Sequence, residues 1–99
     1  MNEIVLHVTY RCLPGKAMEF VQALREAGLP QTVRQEDGCL QYDYHLSCEQ
    51  DDCVVLLERW RDRQALQRHS GQPHMAEIAR AKTGRVQETQ VQRFACTAE

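Results

Sequence analysis

The sequence predicts an α+β fold of the ferredoxin-like split β-α-β type, with one antiparallel four-stranded sheet and the helices on one face. Three observations predict it. Alternating apolar and polar residues indicate strands, apolar residues three and four apart indicate amphipathic helices, and the elements follow the order β-α-β-β-α-β. The 99 residues, 42% of them hydrophobic and 26% charged, are typical of one globular domain, predicted over 1–99.

The first strand and the first helix are distinguished by their periods. The strand is predicted over 4–12, where one face consists of Ile4, Leu6, Val8 and Tyr10. From Lys16 an apolar stripe repeats at helical spacing and consists of Ala17, Phe20, Val21, Leu24 and Ala27. Gly28 and Pro30 predict a break, because proline cannot donate a backbone hydrogen bond and crowds the preceding turn. One or two further turns then reach about Gln35.

Two strands follow, at 39–47 and 53–60, and the polar turn between them predicts a hairpin. One face of the first of these strands carries Leu40, Tyr42, Tyr44 and Leu46. The second contains the run 54–57, Val-Val-Leu-Leu, which is apolar on both faces. Such a run is typical of a strand that is covered on both sides.

The second helical region is predicted in two pieces. Asp62 is a favourable N-cap for a helix over 63–69, and Pro73 suits the first position of the next helix. The apolar stripe of that second piece consists of Met75, Ile78 and Ala79. The last strand is predicted over 86–94.

This arrangement leaves one sheet face without cover, although the third strand is apolar on both faces. A second copy related by a two-fold axis would cover it. We therefore predict a homodimer whose sheets pack face to face.

Composition excludes several classes of function. A net charge of −2 without a basic run argues against binding to nucleic acid or to an anionic membrane. No apolar run approaches the ~20 residues of a membrane span. Residues 1–4 lack the basic start and apolar region of a signal peptide, so the protein is expected in the cytoplasm. The five cysteines are an odd number and are expected to be thiols there.

The candidate site lies between Glu58 and His74. Glu58 and Trp60 share one strand face, and His69 lies four residues after Ala65 on the apolar side of its helix. A carboxylate, an indole and an imidazole are thus expected to converge, with His74 at the start of the next helix. An inward histidine beside a carboxylate is suited to proton transfer. The alternative is structural: a hydrogen-bonded buried histidine, a Glu58 that pairs with arginine, and a Trp60 that only fills an interface.

No metal site is predicted. His69 and His74 lie five residues apart, with Gly71 and Pro73 between them, so they cannot share one face of a helix as i, i+4 ligands do. Cys48 and Cys53 span a turn without a second pair at zinc-finger spacing, and no glycine-rich loop resembles a phosphate cradle.

Several short motifs together resemble the antibiotic biosynthesis monooxygenase family. They are E-D-G-C-L-Q-Y at 36–42, E-R-W at 58–60, and A-L-Q-R-H with P-H at 65–69 and 73–74. The resemblance covers nearly the whole chain and implies a dimeric α+β barrel. Relatives include cofactor-independent oxygenases of quinols and polycyclic phenols, haem-degrading enzymes, and an isomerase of a phosphorylated sugar.

At two sets of positions this sequence differs from particular branches of the family, and these differences disfavour those branches. The Asn, Trp and His positions of the haem-degrading branch correspond here to Val8, His69 and Ala79. The Asn and Tyr positions of the polyketide-phenol oxygenases correspond to Leu56 and Leu66. The quinol-monooxygenase-like branch fits best.

The sequence therefore favours oxidation of a small quinol or phenol by O2 with no cofactor. His69 or His74 is the expected base, with Glu58 orienting one of them. The pocket is expected to be shaped by Trp60, Tyr42, Leu56 and Leu66. Alternatives are an isomerase of a small carbonyl or phospho-sugar compound that moves a proton with the same pair, and a non-catalytic stress dimer that binds a hydrophobic small molecule.

Overall fold

The predicted element order is confirmed. A computed structural model describes residues 2–97, so residues 1, 98 and 99 of the predicted domain lie outside the described part. The elements are β1 (Glu3–Cys12), α1 (Ala17–Glu26), α2 (Leu29–Arg34), β2 (Cys39–Leu46), β3 (Cys53–Trp60), α3 (Arg63–Ser70), α4 (Met75–Lys82) and β4 (Val86–Cys96). None of the helices described is long and apolar enough to cross a membrane.

All four strands form one antiparallel sheet in the order β2-β3-β1-β4. The hairpin partner β3 lies between β1 and β2, which is the split β-α-β connection predicted from the sequence. Alternation places one set of side chains under the helices, and these pair across the strands as Trp60 with Ile4, Leu56 with Val8 and Val54 with Tyr10. Phe20 and Leu24 of α1 complete this core, and both are fully buried.

The first helical region breaks where it was predicted to break. Gly28 adopts a left-handed backbone conformation (φ +70°) between α1 and α2, which glycine tolerates because it has no Cβ. Pro30 lies in the first turn of α2, where its missing N–H has no partner to lose. The break turns α2 toward β2, and this brings the end of α2 close to the candidate site.

Three local predictions were wrong. Pro73 is not the first residue of a helix, because α4 starts at Met75 and His74 is its N-cap. Ala81 rather than Ala79 faces the core, because it lies three residues after the buried Ile78 on the same face of α4. In β2 a bulge shifts the register between Cys39 and Gln41, and Leu40 is exposed instead of joining the face of Tyr42.

Candidate functional site

Four separate elements bring the functional side chains together. Glu36 lies in the turn between α2 and β2, and His69 lies in the last turn of α3. His74 caps α4, and Glu58 projects from β3 toward the helices. The short turn between α3 and α4 reverses the chain, so that the His69 and His74 rings come within 6.4 Å of each other, measured between centroids.

The turn that carries Glu36 is fixed from both sides. The backbone N–H of Glu36 donates to the carbonyl of Val33, and the N–H of Cys39 donates to the carbonyl of Glu36. Asp37 accepts hydrogen bonds from the guanidinium groups of Arg61 and Arg68, at 3.1 and 3.4 Å. These bonds, the one from Arg61 most of all, hold the pKa of the Asp37 carboxyl below its usual value.

One carboxylate oxygen joins the two histidines. Glu36 Oε2 lies 2.8 Å from His69 Nδ1 and 2.8 Å from His74 Nε2. An ionised carboxylate can only accept hydrogen bonds, so each of these ring nitrogens carries the proton that it donates. In a neutral imidazole the opposite nitrogen is then free to accept, which leaves Nδ1 of His74 and Nε2 of His69 as acceptors.

A second carboxylate lies behind His69. Trp60 Nε1 donates to Glu58 Oε1 at 2.9 Å, and the same oxygen lies 3.9 Å from His69 Nε2. Burial raises the pKa of Glu58, and the hydrogen bond from Trp60 and the nearness of His69 oppose that shift only in part. His69 therefore lies between two carboxyl groups, Glu36 on its outer side and Glu58 on its inner side.

Aromatic rings hold His69 in place. Its ring packs on the indole of Trp60 with the centroids 4.5 Å apart and the planes tilted by 31°, and Tyr42 meets it at 6.1 Å. The hydroxyl groups of Tyr42 and Tyr44 lie 3.1 Å apart. Burial raises the pKa of both phenols, that of Tyr44 to about 12, so both stay protonated at neutral pH.

The predicted site residues thus fall into two groups. Glu58, Trp60 and His69 meet as the sequence predicted, and His74 joins them through Glu36. The residues predicted to line the substrate pocket lie in the core around this cluster: Trp60 is fully buried, and Tyr42, Leu56 and Leu66 are at most 7% exposed. Trp60 contacts His69 directly, whereas Leu56 and Leu66 form part of the general core.

Solvent reaches the cluster through a surface depression of about 380 Å³. The residues that line it all have polar or charged side chains and are Thr32, Gln35, Glu36, Asp37, Arg68, Gln72 and His74. The side chains of Glu36 and His74 remain 10% and 13% exposed, against 5% for His69. His74 is consequently the imidazole that a molecule in this depression would meet first.

A larger groove lies elsewhere, between α1, α2 and β2. It has a volume of about 870 Å³, and Arg25, Arg34 and Tyr44 are among its lining residues. No histidine lines it. The smaller depression is the better candidate site, because it alone of the two reaches the histidine–carboxylate cluster.

Glu36 is the member of this candidate site that sequence reasoning missed. It stands at the start of the E-D-G-C motif, where it was interpreted as part of a turn that stops a helix. The motif was the available signal, but nothing in its spacing indicates a contact with residues 33 and 38 positions further along the chain. Glu36, His69 and His74 also place three potential metal-ligand atoms within 4.8 Å of one another.

Comparison with known proteins agrees with this architecture. The family model for antibiotic biosynthesis monooxygenase matches residues 3–81. "Putative monooxygenase Rv0793" of Mycobacterium tuberculosis is 43% identical over 58 residues, which make up 59% of this chain and 55% of that protein. "Putative monooxygenase YcnE" of Bacillus subtilis is 32% identical over 71 residues, 72% of this chain and 73% of that one.

A solved structure extends the similarity to the whole fold. The crystal structure of PA3566 from Pseudomonas aeruginosa superimposes with a TM-score of 0.86 and 30% sequence identity. The superposition covers 99% of this chain and 97% of that one.

Proposed function

This chain belongs to the antibiotic biosynthesis monooxygenase family, and from that membership we propose that it oxidises a small phenol or quinol with O2 and without a cofactor. The family and the names of its two relatives support a monooxygenase-type function. The observation that carries the finer proposal is the buried His69–Glu36–His74 hydrogen-bond chain, which ends at the depression.

In this proposal His74 is the base. Its Nε2–H is committed to Glu36, so Nδ1 accepts the phenolic proton of the substrate. Glu36 stabilises the imidazolium that forms and keeps its ring in one orientation, because the second hydrogen bond, from His69, fixes the carboxylate. Arg68 at the rim of the depression would favour the phenolate over the phenol.

The reaction with oxygen then balances without any further reactant. The phenolate transfers one electron to O2, and the aryloxyl radical and superoxide recombine to form a carbon–oxygen bond. The peroxide takes a proton from the imidazolium. Its O–O bond breaks as the ring C–H proton leaves, so that one oxygen atom remains in the quinone and the other departs as water.

The size of the depression suits a small substrate. Ligand sites usually enclose about 300–1,000 Å³, and about 380 Å³ is at the lower end of this range. One or two fused rings would fit there more readily than a polycyclic polyketide. We therefore expect substituted hydroquinones and naphthols to be better substrates than larger phenols.

Oxygen uptake with a panel of hydroquinones and naphthols tests this proposal. General base catalysis contributes about 10²- to 10⁴-fold, so His74→Ala and Glu36→Gln should each lower kcat by about two orders of magnitude. His69→Ala should also abolish most turnover, since Glu36 would lose one of its two partners. The matched control is Glu49→Gln, because Glu49 is exposed in the turn between β2 and β3 and the variant should behave as wild type.

A quinone product whose formation does not depend on His74 and Glu36 would contradict this assignment. Arg68 at the depression could bind an anionic group and so favours a second candidate, an isomerase of a small carbonyl or phosphorylated sugar, in which the same base would move a proton between carbon atoms. Turnover under anaerobic conditions distinguishes the two, because an isomerase needs no O2. A protein that is only stabilised by ligands and forms no product would be a binding module.

A further inference from the structure

We propose that Glu36, His69 and His74 form a binding site for a divalent transition-metal ion. The ligand atoms would be Glu36 Oε2, His69 Nδ1 and His74 Nε2, which lie within 4.8 Å of one another. This inference does not rest on the proposed oxidation, since it concerns binding in the absence of any substrate.

The ligand atoms are close enough for a local rearrangement to bring them around one ion. Both ring nitrogens already point at the same carboxylate oxygen from 2.8 Å. Zinc binds histidine nitrogen and carboxylate oxygen at about 2.0–2.2 Å, and ligand atoms around one such ion stand roughly 3–4 Å apart. An ion would therefore take the place of the two protons that the histidines now donate to Glu36.

The surroundings of His69 supply an independent observation. A histidine that binds a metal usually directs its other ring nitrogen at a carboxylate or carbonyl group, which fixes the ring. His69 approaches this arrangement, because Nε2 faces Glu58 Oε1 at 3.9 Å, a distance that a small shift of the ring would close to a hydrogen bond, and Glu58 is held in turn by Trp60. His69 and Glu58 are both about 95% buried, which is unusual for polar groups without a specific task.

The donor set also indicates the class of ion. Two imidazoles and one carboxylate suit zinc, cobalt, nickel or ferrous ions, whereas magnesium and calcium prefer sites made of oxygen atoms alone. Three protein ligands leave at least one coordination position for water or a small molecule. That position would be reached from the depression, which Glu36 and His74 line.

Metal binding and base catalysis would exclude each other. A metal-bound Nε2 of His74 has no proton, so the neutral ring carries its proton on Nδ1, the atom that was to accept the substrate's proton. Zn²⁺ should therefore inhibit the metal-free oxidation reversibly, and a chelator should restore it. The site would then couple turnover to the concentration of free zinc.

The test is direct binding to protein that has been treated with a chelator and carries no polyhistidine tag. Calorimetric titration with Zn²⁺ should show one ion per chain. Glu36→Gln, His69→Ala and His74→Ala should each weaken binding at least about 100-fold, and Glu58→Gln, which acts only through His69, by about 10- to 100-fold. Glu49→Gln should bind like wild type.

Cysteine ligands must be distinguished from this site, because Cys48 and Cys96 are exposed. The titration is therefore repeated with Co²⁺ in a Cys48→Ser/Cys96→Ser background. Visible d–d bands without the near-ultraviolet absorption of a cobalt–thiolate bond are expected. Circular dichroism of each variant identifies any loss of fold, and Glu36→Gln, which keeps the side-chain volume, remains informative if an alanine variant unfolds.

Three outcomes would overturn the proposal: no saturable binding, binding that survives Glu36→Gln and His74→Ala, or a spectrum dominated by thiolate. Each is read without substrate. A negative result in the metal titration therefore leaves the proposed oxidation untouched, because the oxidation is measured as oxygen uptake by metal-free protein.

Discussion

At the scale of single residues, Gly38 determines where Glu36 can lie. Its backbone is left-handed (φ +88°), and a Cβ added to it would overlap with the Cβ of Ala65 on α3. Its carbonyl accepts a hydrogen bond of 2.8 Å from the N–H of Arg61. Only glycine lets the turn between α2 and β2 come this close to α3, and that approach carries Glu36 to the histidines.

Gly38→Ala should therefore destabilise the protein through two separate effects. The left-handed backbone alone costs roughly 1–2 kcal/mol for a residue with a Cβ, and overpacking adds about 1–3 kcal/mol. Gly84→Ala is the matched control, since Gly84 is also left-handed (φ +76°) but a Cβ there would contact nothing within 4 Å. Urea unfolding should show the larger loss for Gly38→Ala, and equal losses would mean that the contact with Ala65 is unimportant.

The same residue scale shows what could be predicted from the sequence and what could not. Glu58 and Trp60 are two residues apart on a strand and His69 lies three residues after Leu66 in a helix, so periodicity alone placed them in the core. The position of Glu36 depends on how a turn packs against α3, and no local period encodes this contact. For the same reason, the five-residue spacing of His69 and His74 does not keep them apart. They cannot share one face of a helix, but the turn between α3 and α4 brings both rings to Glu36.

At the scale of elements, the start of α3 is fixed by one side chain. Asp62 has extended backbone geometry, and its Oδ1 accepts a hydrogen bond of 2.9 Å from the N–H of Ala65. That bond is the main reason why the pKa of Asp62 is lowered from its usual value of 3.8. A charged Asp62 thus stabilises the helix that positions Arg68 and His69.

Replacing this cap should lower stability in a way that depends on pH. Asp62→Ala should lower the Tm by a few degrees at neutral pH, whereas Asp62→Asn should keep most of the stability because asparagine caps equally well. A lowered pKa means that the stabilisation is present above pH 3.8 and is lost as the pH falls through the native pKa. The Tm difference between wild type and Asp62→Ala, measured by thermal unfolding, should shrink below that pH, and a constant difference would contradict this account.

The start or break of a helix could be predicted from the sequence where a single capping or helix-breaking residue marks it. It could not be predicted where tertiary packing sets the boundary. Asp62 and the pair Gly28 and Pro30 carry such signals, and the structure begins or breaks helices there. Pro73 carries the same kind of signal, but the turn after α3 uses two more residues before α4 begins at Met75. Packing likewise decides that α4 buries Ala81, three residues after Ile78, and leaves Ala79 exposed.

At the scale of the whole molecule, the sheet has one face that no helix covers. Its centre carries the apolar side chains of Val5, Val55, Leu57 and Phe94, with Phe94 49% exposed, together with the polar His7. Ion pairs flank this centre at both ends, from Arg59 to Glu3 and from Arg11 to Glu88. A central group of apolar side chains with a charged rim is common in protein interfaces, and it supports the homodimer predicted from the apolar run in β3.

Leu57→Glu should therefore convert a dimer into a monomer. Its side chain lies beside Asp43 in the sheet register, so the substitution would place a second carboxylate next to that of Asp43, and a face-to-face dimer would bury both. Met18→Glu is the control, because Met18 is 47% exposed on α1 and lies on the opposite side of the molecule from this face.

Light scattering coupled to gel filtration should give a dimer mass for wild type and Met18→Glu and a monomer mass for Leu57→Glu. Circular dichroism should confirm that each variant is folded. A monomeric wild type would refute the dimer, and a dimeric Leu57→Glu would show that the two copies meet through another surface.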